Sequence, residues 1–549
     1  MTGTTSAICS ACGRLVAVLA ESAQSPVAAT APALGSHAAR GVSLMIAQGL
    51  ATRVVSLICQ MALSYLLMPE HFGLLAMADA IAVLAGVLQL IGVREILVSR
   101  QKRFHLWANA CFWLMTFSGL VAAAIITGAA PLMARAYDNP QLAGMLYIIA
   151  LSIPFSSMSV VGEAKLQAEL RFKYLACVLG VWAVLLPTLT IVFALLGFGP
   201  YSFVLPRVIV AVLRLAMVQR AARLRLRWNP QFRRWRFILG TSALVFVTSL
   251  LLIVIQVGDR TLLSLFVDER ALGLYIFAYS FSLQVIMMIS INLQGVLFAT
   301  LAKLNDERDR QLRAFVRASR VLATVVAPIC LVQAAASESI VRTLFDYDKW
   351  KDSVPAMQAL AIGMVFMGAY CPTSSLLESQ RRFKTKFKLT LLNAALFVSV
   401  VFAGIALGIR YGGDPLGGIV GAAIGVAVTL AIVCPIWSYV ALRNLGGGWA
   451  DALGIAARPL IASGIAVAIG LACSELAGRA AAGRLAFGYD PEHWVRLATI
   501  TGFSGLAYAV LSRVLLPAEF GEIAQRLISI TRRFSPRAAN FVARATATR

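Results

Sequence analysis

Long apolar stretches separated by short polar segments extend along almost the whole chain. A helix that crosses the hydrocarbon core of a membrane needs about 20 mostly apolar residues, and fourteen stretches are candidates. They are predicted at residues 41–67, 72–93, 106–129, 142–163, 174–196, 202–217, 240–266, 272–298, 319–345, 354–377, 389–409, 416–441, 458–476 and 494–515. The sixth stretch is the shortest and contains Pro206. This pattern predicts an all-α, polytopic membrane protein with about fourteen transmembrane helices.

Positive charges test this count independently, because cytoplasmic loops of membrane proteins are enriched in Lys and Arg. If the N-terminus lies in the cytoplasm, the loops after the even-numbered stretches hold 27 Lys and Arg, whereas the opposite loops hold 8. A helix missed or added in the count would mix the two classes of loop. The alternation therefore predicts fourteen helices with both chain ends in the cytoplasm.

Composition agrees with a membrane location. The 549 residues are 59% hydrophobic and 13% charged, with a net charge of +24, whereas soluble domains contain about 25% charged residues. A soluble globule and a chain disordered over most of its length are thereby excluded. Because the excess of Lys and Arg belongs to a mostly apolar chain, it is expected to meet anionic lipid and not nucleic acid.

Both ends of the chain are predicted to be cytoplasmic tails. Residues 1–40 are rich in Ala, Ser and Thr, which predicts disorder, and the apolar segment Leu15–Ala20 is too short for a signal peptide. Residues 517–549 carry six arginines. Within them, residues 519–534 have two interpretations, a basic amphipathic helix on the inner leaflet or a solvated tail.

The cysteines and histidines indicate neither a metal site nor a cofactor. Seven of the nine cysteines lie singly within apolar stretches and are predicted to be free, buried thiols. Cys9 and Cys12 form a lone C-x-x-C without a second pair, and the four histidines are scattered. The sequence has no P-loop, so ATP is not expected as the direct energy source.

Short motifs recur between the two halves of the chain. Leu67–Ala78 parallels Phe266–Ala278 at an offset of 200 residues. Glu169–Lys173 parallels Gln380–Lys384 at an offset of 211, and Tyr137-Asp138 parallels Tyr347-Asp348 at an offset of 210. Since six helices are an even number, the repeat predicts two parallel six-helix bundles, residues 41–236 and 237–442. Two additional helices follow at 443–516. Parallel repeats are typical of transporters whose site lies between the halves.

The repeat also predicts that the seventh helix runs to Phe266, which places Asp259 and Arg260 inside the membrane. In the twelfth stretch, Gly417, Gly421 and Gly425 form a ridge of small residues, which predicts close packing against another helix.

Charged residues within the apolar stretches are the candidate functional residues, because each costs at least about 2.5–3.5 kcal/mol at the bilayer centre. They are Arg53, Asp79, Arg207, Arg214, Asp259, Arg260, Glu338 and Arg342. We interpret Arg53, Arg207 and Arg260 as substrate-binding cations of a cavity, with Arg53 near the midplane by its helical rise. This excess of arginine suits an anionic substrate, because the guanidinium matches phosphate oxygens with a planar set of donors.

The remaining charged positions have two readings each. Asp79, Asp259, Glu338 and Arg342 are candidates for ion coupling or gating. Alternatively, Glu338 and Arg342 form an i,i+4 salt bridge on a helix surface, and Asp79 pairs with a nearby arginine. Arg214 lies near a cytoplasmic helix end and is expected to extend to the headgroups.

Several motifs resemble the Wzx-like polysaccharide flippases of the multidrug/oligosaccharidyl-lipid/polysaccharide exporter superfamily. They are Leu67–Ala78, Val257-Gly-Asp-Arg260, Ala271–Tyr279, Val296–Leu304, and Trp350 with Pro355. The resemblance covers roughly residues 40–440. It implies two six-helix bundles in a V around a central cavity. It also implies transfer of an undecaprenyl-diphosphate-linked oligosaccharide across the bacterial inner membrane, with H⁺ or Na⁺ and the polysaccharide polymerase and chain-length machinery as partners.

Alternative functions remain open at this point. A multidrug exporter of the same superfamily would use carboxylates for cationic substrates, whereas the charges here lean positive. A peptidoglycan-precursor flippase of the superfamily also uses arginines, so the sequence separates it only weakly. A membrane glycosyltransferase or polymerase is a more distant alternative, because those enzymes carry a sizeable outer loop and none here clearly exceeds about 18 residues. Asp346-Tyr-Asp348 matches a D-x-D nucleotide-sugar pattern but falls on the predicted outer face, where sugar nucleotides are absent. We therefore expect a transporter and not an enzyme.

Overall fold

The computed structural model describes residues 52, 55–87, 93, 97, 104–169, 171–224, 228–304, 307–380, 382–481, 491–517, 519–522 and 525. Within these residues the regular structure is helical and contains no β-strand. The first half comprises α1 Val55–Leu66, α2 Pro69–Gly86, α3 Phe104–Ala136, α4 Pro140–Ala168, α5 Phe172–Leu195, α6 Leu205–Ala222 and α7 Phe232–Leu263. The second half comprises α8 Glu269–Lys303, α9 Arg308–Leu344, α10 Tyr347–Trp350, α11 Val354–Ala369, α12 Pro372–Ser379, α13 Phe383–Gly412, α14 Pro415–Leu442, α15 Trp449–Gly454, α16 Ala457–Ala481 and α17 Pro491–Leu515.

Side-chain caps explain where three of the long helices begin. Asn139 accepts a hydrogen bond from the Gln141 amide before α4, and Asp268 and Asp414 cap α8 and α14 in the same way. Each cap satisfies a backbone N–H that has no partner within its helix. These starts therefore depend on local sequence and not on packing alone.

Each predicted membrane stretch overlaps at least one of these helices. Within the part of the chain that the structure describes, ten helical segments are long and apolar enough to cross a membrane. The protein is therefore a multi-pass, all-α membrane protein, whereas the count of fourteen stays a prediction. Two predicted stretches differ in detail. The seventh helix ends at Leu263 and continues to Phe266 as a turn. The tenth breaks at Tyr370 before Pro372, whose ring cannot continue an α-helix unperturbed.

The chain forms two compact units, residues 1–261 and 262–549. In the first, α3 packs along α4, and α4 along α6. In the second, the pairs α13–α14, α16–α17 and α9–α11 are the main packed helices. An aromatic cluster anchors the second unit, where Phe277 stacks on the fully buried Trp350 at a centroid distance of 4.2 Å. The predicted boundaries of the two six-helix bundles and of the additional helices remain predictions.

The glycine ridge of α14 packs against α13, as its spacing predicted. A Cβ atom added at Gly417 would meet the Gly408 carbonyl oxygen, and one at Gly421 would meet the Gly404 carbonyl oxygen. The two backbones are therefore in direct contact, because neither helix has side chains between them at these positions. The matching glycines of α13 were not recognised from the sequence.

The seven cysteines of the apolar stretches are free thiols, as predicted. The prediction that all are buried was wrong. Cys177 is exposed on α5, and Cys371, Cys434 and Cys473 are partly exposed. In an apolar membrane environment this costs little, because a thiol behaves as a small apolar group. Cys9 and Cys12, residues 1–40 and most of 517–549 lie outside the described residues, although 519–522 and 525 are helical.

Candidate functional site

One face of α6 carries two arginines, each held by a carboxylate from another helix of the first unit. Arg207 and Arg214 are seven residues apart and therefore share a face two helical turns apart. Asp79 of α2 binds the first, and Glu163 of α4 binds the second. The sequence identified Arg207 and Asp79 as separate candidates, and the structure shows that they form an ion pair.

The Arg207–Asp79 pair is bidentate. Arg207 Nη2 donates to Asp79 Oδ2 at 2.9 Å, and Nη1 donates to Oδ1. The two side chains are 30% and 34% exposed, so the pair lies partly at a surface. A planar guanidinium in this geometry stays charged and keeps three of its five N–H donors for other oxygens.

An aromatic contact sets the register that brings Arg207 to Asp79. Phe72, in the first turn of α2, packs edge-to-face on Phe203 at a centroid distance of 5.1 Å, just before α6 begins. Asp79 lies two turns beyond Phe72, and Arg207 one turn beyond Phe203. The long arginine side chain spans the difference.

The Arg214–Glu163 pair has a different environment. Arg214 Nε donates to Glu163 Oε1 at 2.7 Å, and Nη2 lies 2.6 Å from the same oxygen. The Glu163 side chain is only 6% exposed, and Trp182 of α5 covers the guanidinium at 5.6 Å from its ring centroid. Arg214 is therefore bound inside the unit, and the expectation that it extends to the headgroups was wrong. Glu163 was not recognised from the sequence, because it ends its apolar stretch.

Asp259 and Arg260 lie within α7 and not in a loop, as the repeat predicted. Asp259 is 1% exposed, whereas Arg260 is half-buried. The two side chains leave the helix about 100° apart, so they face different surroundings. Their predicted roles in substrate binding and gating remain predictions.

Glu338 and Arg342 form the i,i+4 salt bridge on α9 that was one of the two predicted readings. Arg342 donates from Nε and Nη2 to Glu338 Oε1 at 3.1 and 2.9 Å, and Nη2 also donates to the Tyr347 hydroxyl at 2.8 Å. Tyr347 also stacks against the guanidinium, 3.8 Å from its ring centroid. This aromatic partner follows from the turn between α9 and α10, which the sequence pattern did not resolve.

Arg53 lies outside the described residues, so its predicted place in a cavity remains a prediction. Among the residues that the structure describes, no group of three or more His, Cys, Asp or Glu side chains is arranged to hold a metal ion.

Solved structures with a similar fold are transporters. The lipid II flippase MurJ in its inward closed conformation has a TM-score of 0.68, with 14% identity, and the match covers 86% of this chain and 98% of that one. An inward-facing multidrug resistance MATE family transporter of the MOP superfamily has a TM-score of 0.53, with 15% identity over 72% of this chain and 95% of that one. At these identities the likeness shows a common fold.

Sequence relatives are proteins of polysaccharide biosynthesis. The succinoglycan biosynthesis transport protein ExoT of Rhizobium meliloti (strain 1021) is 23% identical over 87% of this chain and 92% of its own length. The lipopolysaccharide biosynthesis protein WzxC of Escherichia coli (strain K12) is 22% identical over 62% of this chain and 71% of its own length. The model of the polysaccharide biosynthesis protein family matches residues 62–355. Because that match covers more than half of the residues, the chain belongs to this polysaccharide biosynthesis protein family.

Proposed function

We propose that this protein is a flippase that moves an undecaprenyl-diphosphate-linked oligosaccharide across the bacterial inner membrane, for assembly of an O-antigen, a capsule or an exopolysaccharide. The observation that carries the proposal is the match to a named polysaccharide transport protein over 92% of that protein's length. The helical fold common to a lipid II flippase supports it, because that fold accommodates a transporter of a lipid-linked sugar.

The charged pairs suit a diphosphate substrate. A sugar and a diphosphate cannot cross about 30 Å of hydrocarbon unaided, because stripping water from charge costs on the order of tens of kcal/mol in the idealised limit. In our proposal Arg207 offers its planar donors to a phosphate oxygen in exchange for the Asp79 carboxylate. Arg53 and Arg260 are proposed as the other cations of the passage.

The membrane potential supplies a driving force for export. With the cell interior negative, moving an anion outward is favourable by about 2.3 kcal/mol per charge per 100 mV, or roughly 5 kcal/mol for two charges. We propose that H⁺ or Na⁺ at Asp79 or Glu338 resets the empty carrier, with Asp259 and Arg342 as gating candidates. If collapsing the potential at a constant pH gradient left transport unchanged, the first step of this scheme would be wrong.

The topology belongs to the same proposal. Both chain ends lie in the cytoplasm, and two six-helix bundles, residues 41–236 and 237–442, enclose the passage. The polymerase and chain-length machinery receive the product at the outer face. The chain itself performs no covalent step, in keeping with relatives that are named as transport and biosynthesis proteins.

The test is a strain that lacks the gene. We expect polymer to be lost and the lipid-linked repeat unit to accumulate in the cytoplasmic leaflet. Its sugars should then be accessible to a probe added to inverted vesicles, but not to one added to right-side-out vesicles. The wild-type gene should restore polymer and outer-leaflet sugar. Normal polymer with lost drug resistance would contradict the proposal in favour of a multidrug exporter.

Two further outcomes separate the remaining alternatives. Cell lysis with accumulated peptidoglycan precursor would indicate a peptidoglycan-precursor flippase. Accumulation of a lipid-linked unit that lacks one sugar, or that is complete but unpolymerised in the outer leaflet, would indicate a glycosyltransferase or a polymerase.

A further inference from the structure

An arginine-rich segment with exposed aromatic side chains joins α6 to α7. Residues 219–237 contain seven arginines and two tryptophans and no acidic residue. Trp228 is 92% exposed and Phe232 is 65% exposed. A tryptophan or phenylalanine ring favours an apolar or interfacial environment over bulk water.

Hydrogen bonds fix residues 229–235 of this segment against the start of α3. Three side chains bond to backbone carbonyls across the contact: Asn109 Nδ2 to Asn229 at 2.6 Å, Trp235 Nε1 to Ala110 at 3.0 Å, and Arg234 Nη1 to Leu106. Arg234 also lies over the Trp107 ring, 5.6 Å from its centroid. The exposed aromatic side chains are thus held in place by the fold.

The aromatic side chains form a layer with an inner and an outer side. Trp228 packs on Trp113 at a centroid distance of 5.0 Å, and Phe232 packs on Trp235 at 4.7 Å. Trp113 and Trp235 are partly buried in the first unit. Trp228 and Phe232 therefore rest on the protein with one side and present the other outward.

Exposed cations lie at the same end of the unit. Arg220 occupies the last turn of α6, and Arg223 follows directly in a left-handed conformation that ends the helix. Both side chains are exposed, and neither has an acidic neighbour along residues 219–237. Aromatic side chains beside cations match the polar boundary of a bilayer, where Trp lies at headgroup level and Arg meets lipid phosphate.

We propose that Trp228 and Phe232 insert at headgroup level and that Arg220 and Arg223 bind the phosphates of anionic phospholipids in the leaflet beside them. The distribution of positive loops assigns this to the cytoplasmic leaflet. The anchor concerns structural lipid and not the transported lipid, so it stands independently of the proposed function.

Depth-dependent fluorescence quenching tests the aromatic part. The full-length protein and its Trp228→Phe variant are reconstituted in phosphatidylcholine vesicles with or without phosphatidylglycerol, each with lipids brominated near the headgroup or deep in the chain. The difference in emission between the wild type and Trp228→Phe is the contribution of Trp228. We expect bromines near the headgroup to quench this contribution, and to quench it more strongly in vesicles that contain phosphatidylglycerol. The matched control Trp494→Phe removes another exposed tryptophan, 54% exposed, and should lose no signal that depends on phosphatidylglycerol.

Quenching of the Trp228 emission by iodide in water, with none by brominated lipid, would overturn the anchor. Shallow quenching that is equal with and without phosphatidylglycerol would overturn the role of anionic lipid. Each result is read from folded protein, because Trp228 is almost wholly exposed and its replacement leaves no cavity.

Lipid retention tests the cationic part. In native mass spectrometry, Arg220→Gln and Arg223→Gln should weaken phosphatidylglycerol binding by about fivefold each. Two controls, Arg308→Gln and Arg313→Gln, each lose one charge as well and change exposed arginines of α9. Equal losses in the controls and in the Arg220 and Arg223 variants would show that only net charge matters and would contradict a defined site.

Discussion

Arg171 and Arg382 make the same contact at corresponding places in the two halves of the chain. Arg171 Nη1 donates to the Ala221 carbonyl near the end of α6 at 2.7 Å, and Arg382 Nη1 donates to the Val440 carbonyl near the end of α14 at 3.1 Å. Carbonyls at a helix C-terminus have no partner in the helix, and the negative end of the dipole attracts a cation.

The backbone around these arginines also matches. Each precedes the first residue of its helix, with φ/ψ of −79°/51° at Arg171 and −85°/52° at Arg382. Each backbone N–H donates to the carbonyl five residues earlier, at 2.9 and 3.0 Å. Similar turns, caps and partners at these two places support the duplication proposed from the short sequence motifs.

We expect Arg171→Ala and Arg382→Ala each to lower the free energy of unfolding by about 1 kcal/mol, because each leaves a helix-terminal carbonyl without its cationic donor. Thermal unfolding in detergent measures this, and Lys at either position should retain part of the effect. Arg313→Ala, an exposed arginine of α9, is the control. An equal loss in the control would mean that total charge, and not the cap, governs stability.

The sequence predicts what depends on local pattern. Hydropathy located the helices, and the spacing of Glu338 and Arg342 on one helix was enough to anticipate their bridge. By contrast, Asp79 and Arg207 are 128 residues apart, and Glu163 and Arg214 are 51 apart. Such pairs follow from how helices pack, which no single stretch encodes.

The glycine contact between α13 and α14 shows the same division. The ridge at Gly417 and Gly421 follows from its four-residue spacing, whereas its partner surface at Gly404 and Gly408 becomes evident only once the two helices are placed together. The sequence therefore predicted that the ridge packs closely, but not against which helix.

Gly421→Ala should destabilise the second unit by about 1–3 kcal/mol, because the added Cβ would overlap the Gly404 carbonyl oxygen and force the backbones apart. Thermal unfolding in detergent checks this. Gly464→Ala is the matched control, because a Cβ added there meets nothing within 4 Å. It should be neutral or stabilising, since Ala favours the helix over Gly. Equal losses of stability in Gly421→Ala and Gly464→Ala would contradict the steric explanation.

Glu163→Gln should lower the free energy of unfolding by about 3 kcal/mol, because it leaves the enclosed Arg214 without its counter-charge. Combining it with Arg214→Met should recover part of that loss, since it removes the internal charge that has lost its partner. Unfolding temperature and polymer yield are measured together. If the double variant is stable but makes no polymer, the pair has a transport role beyond structure.

The Arg207–Asp79 pair is expected to affect polymer yield as well as stability. Asp79→Asn and Arg207→Gln each remove one partner of a bidentate pair, so each should lower the free energy of unfolding by about 1–3 kcal/mol. The double variant D79N/R207Q leaves no unpaired charge and should recover the unfolding temperature. Polymer yield should stay at least about tenfold reduced, because a neutral amide lacks the charge that the proposed diphosphate contact needs.

Arg207→Lys separates charge from geometry in the same experiment. It keeps one positive charge beside Asp79 but loses the planar fork that meets two oxygens at once. We expect an unfolding temperature near that of the wild type with intermediate polymer yield. If D79N/R207Q and Arg207→Lys both gave full polymer yield, Arg207 would serve only to hold α6 against α2, and the proposed passage would have to rely on other cations.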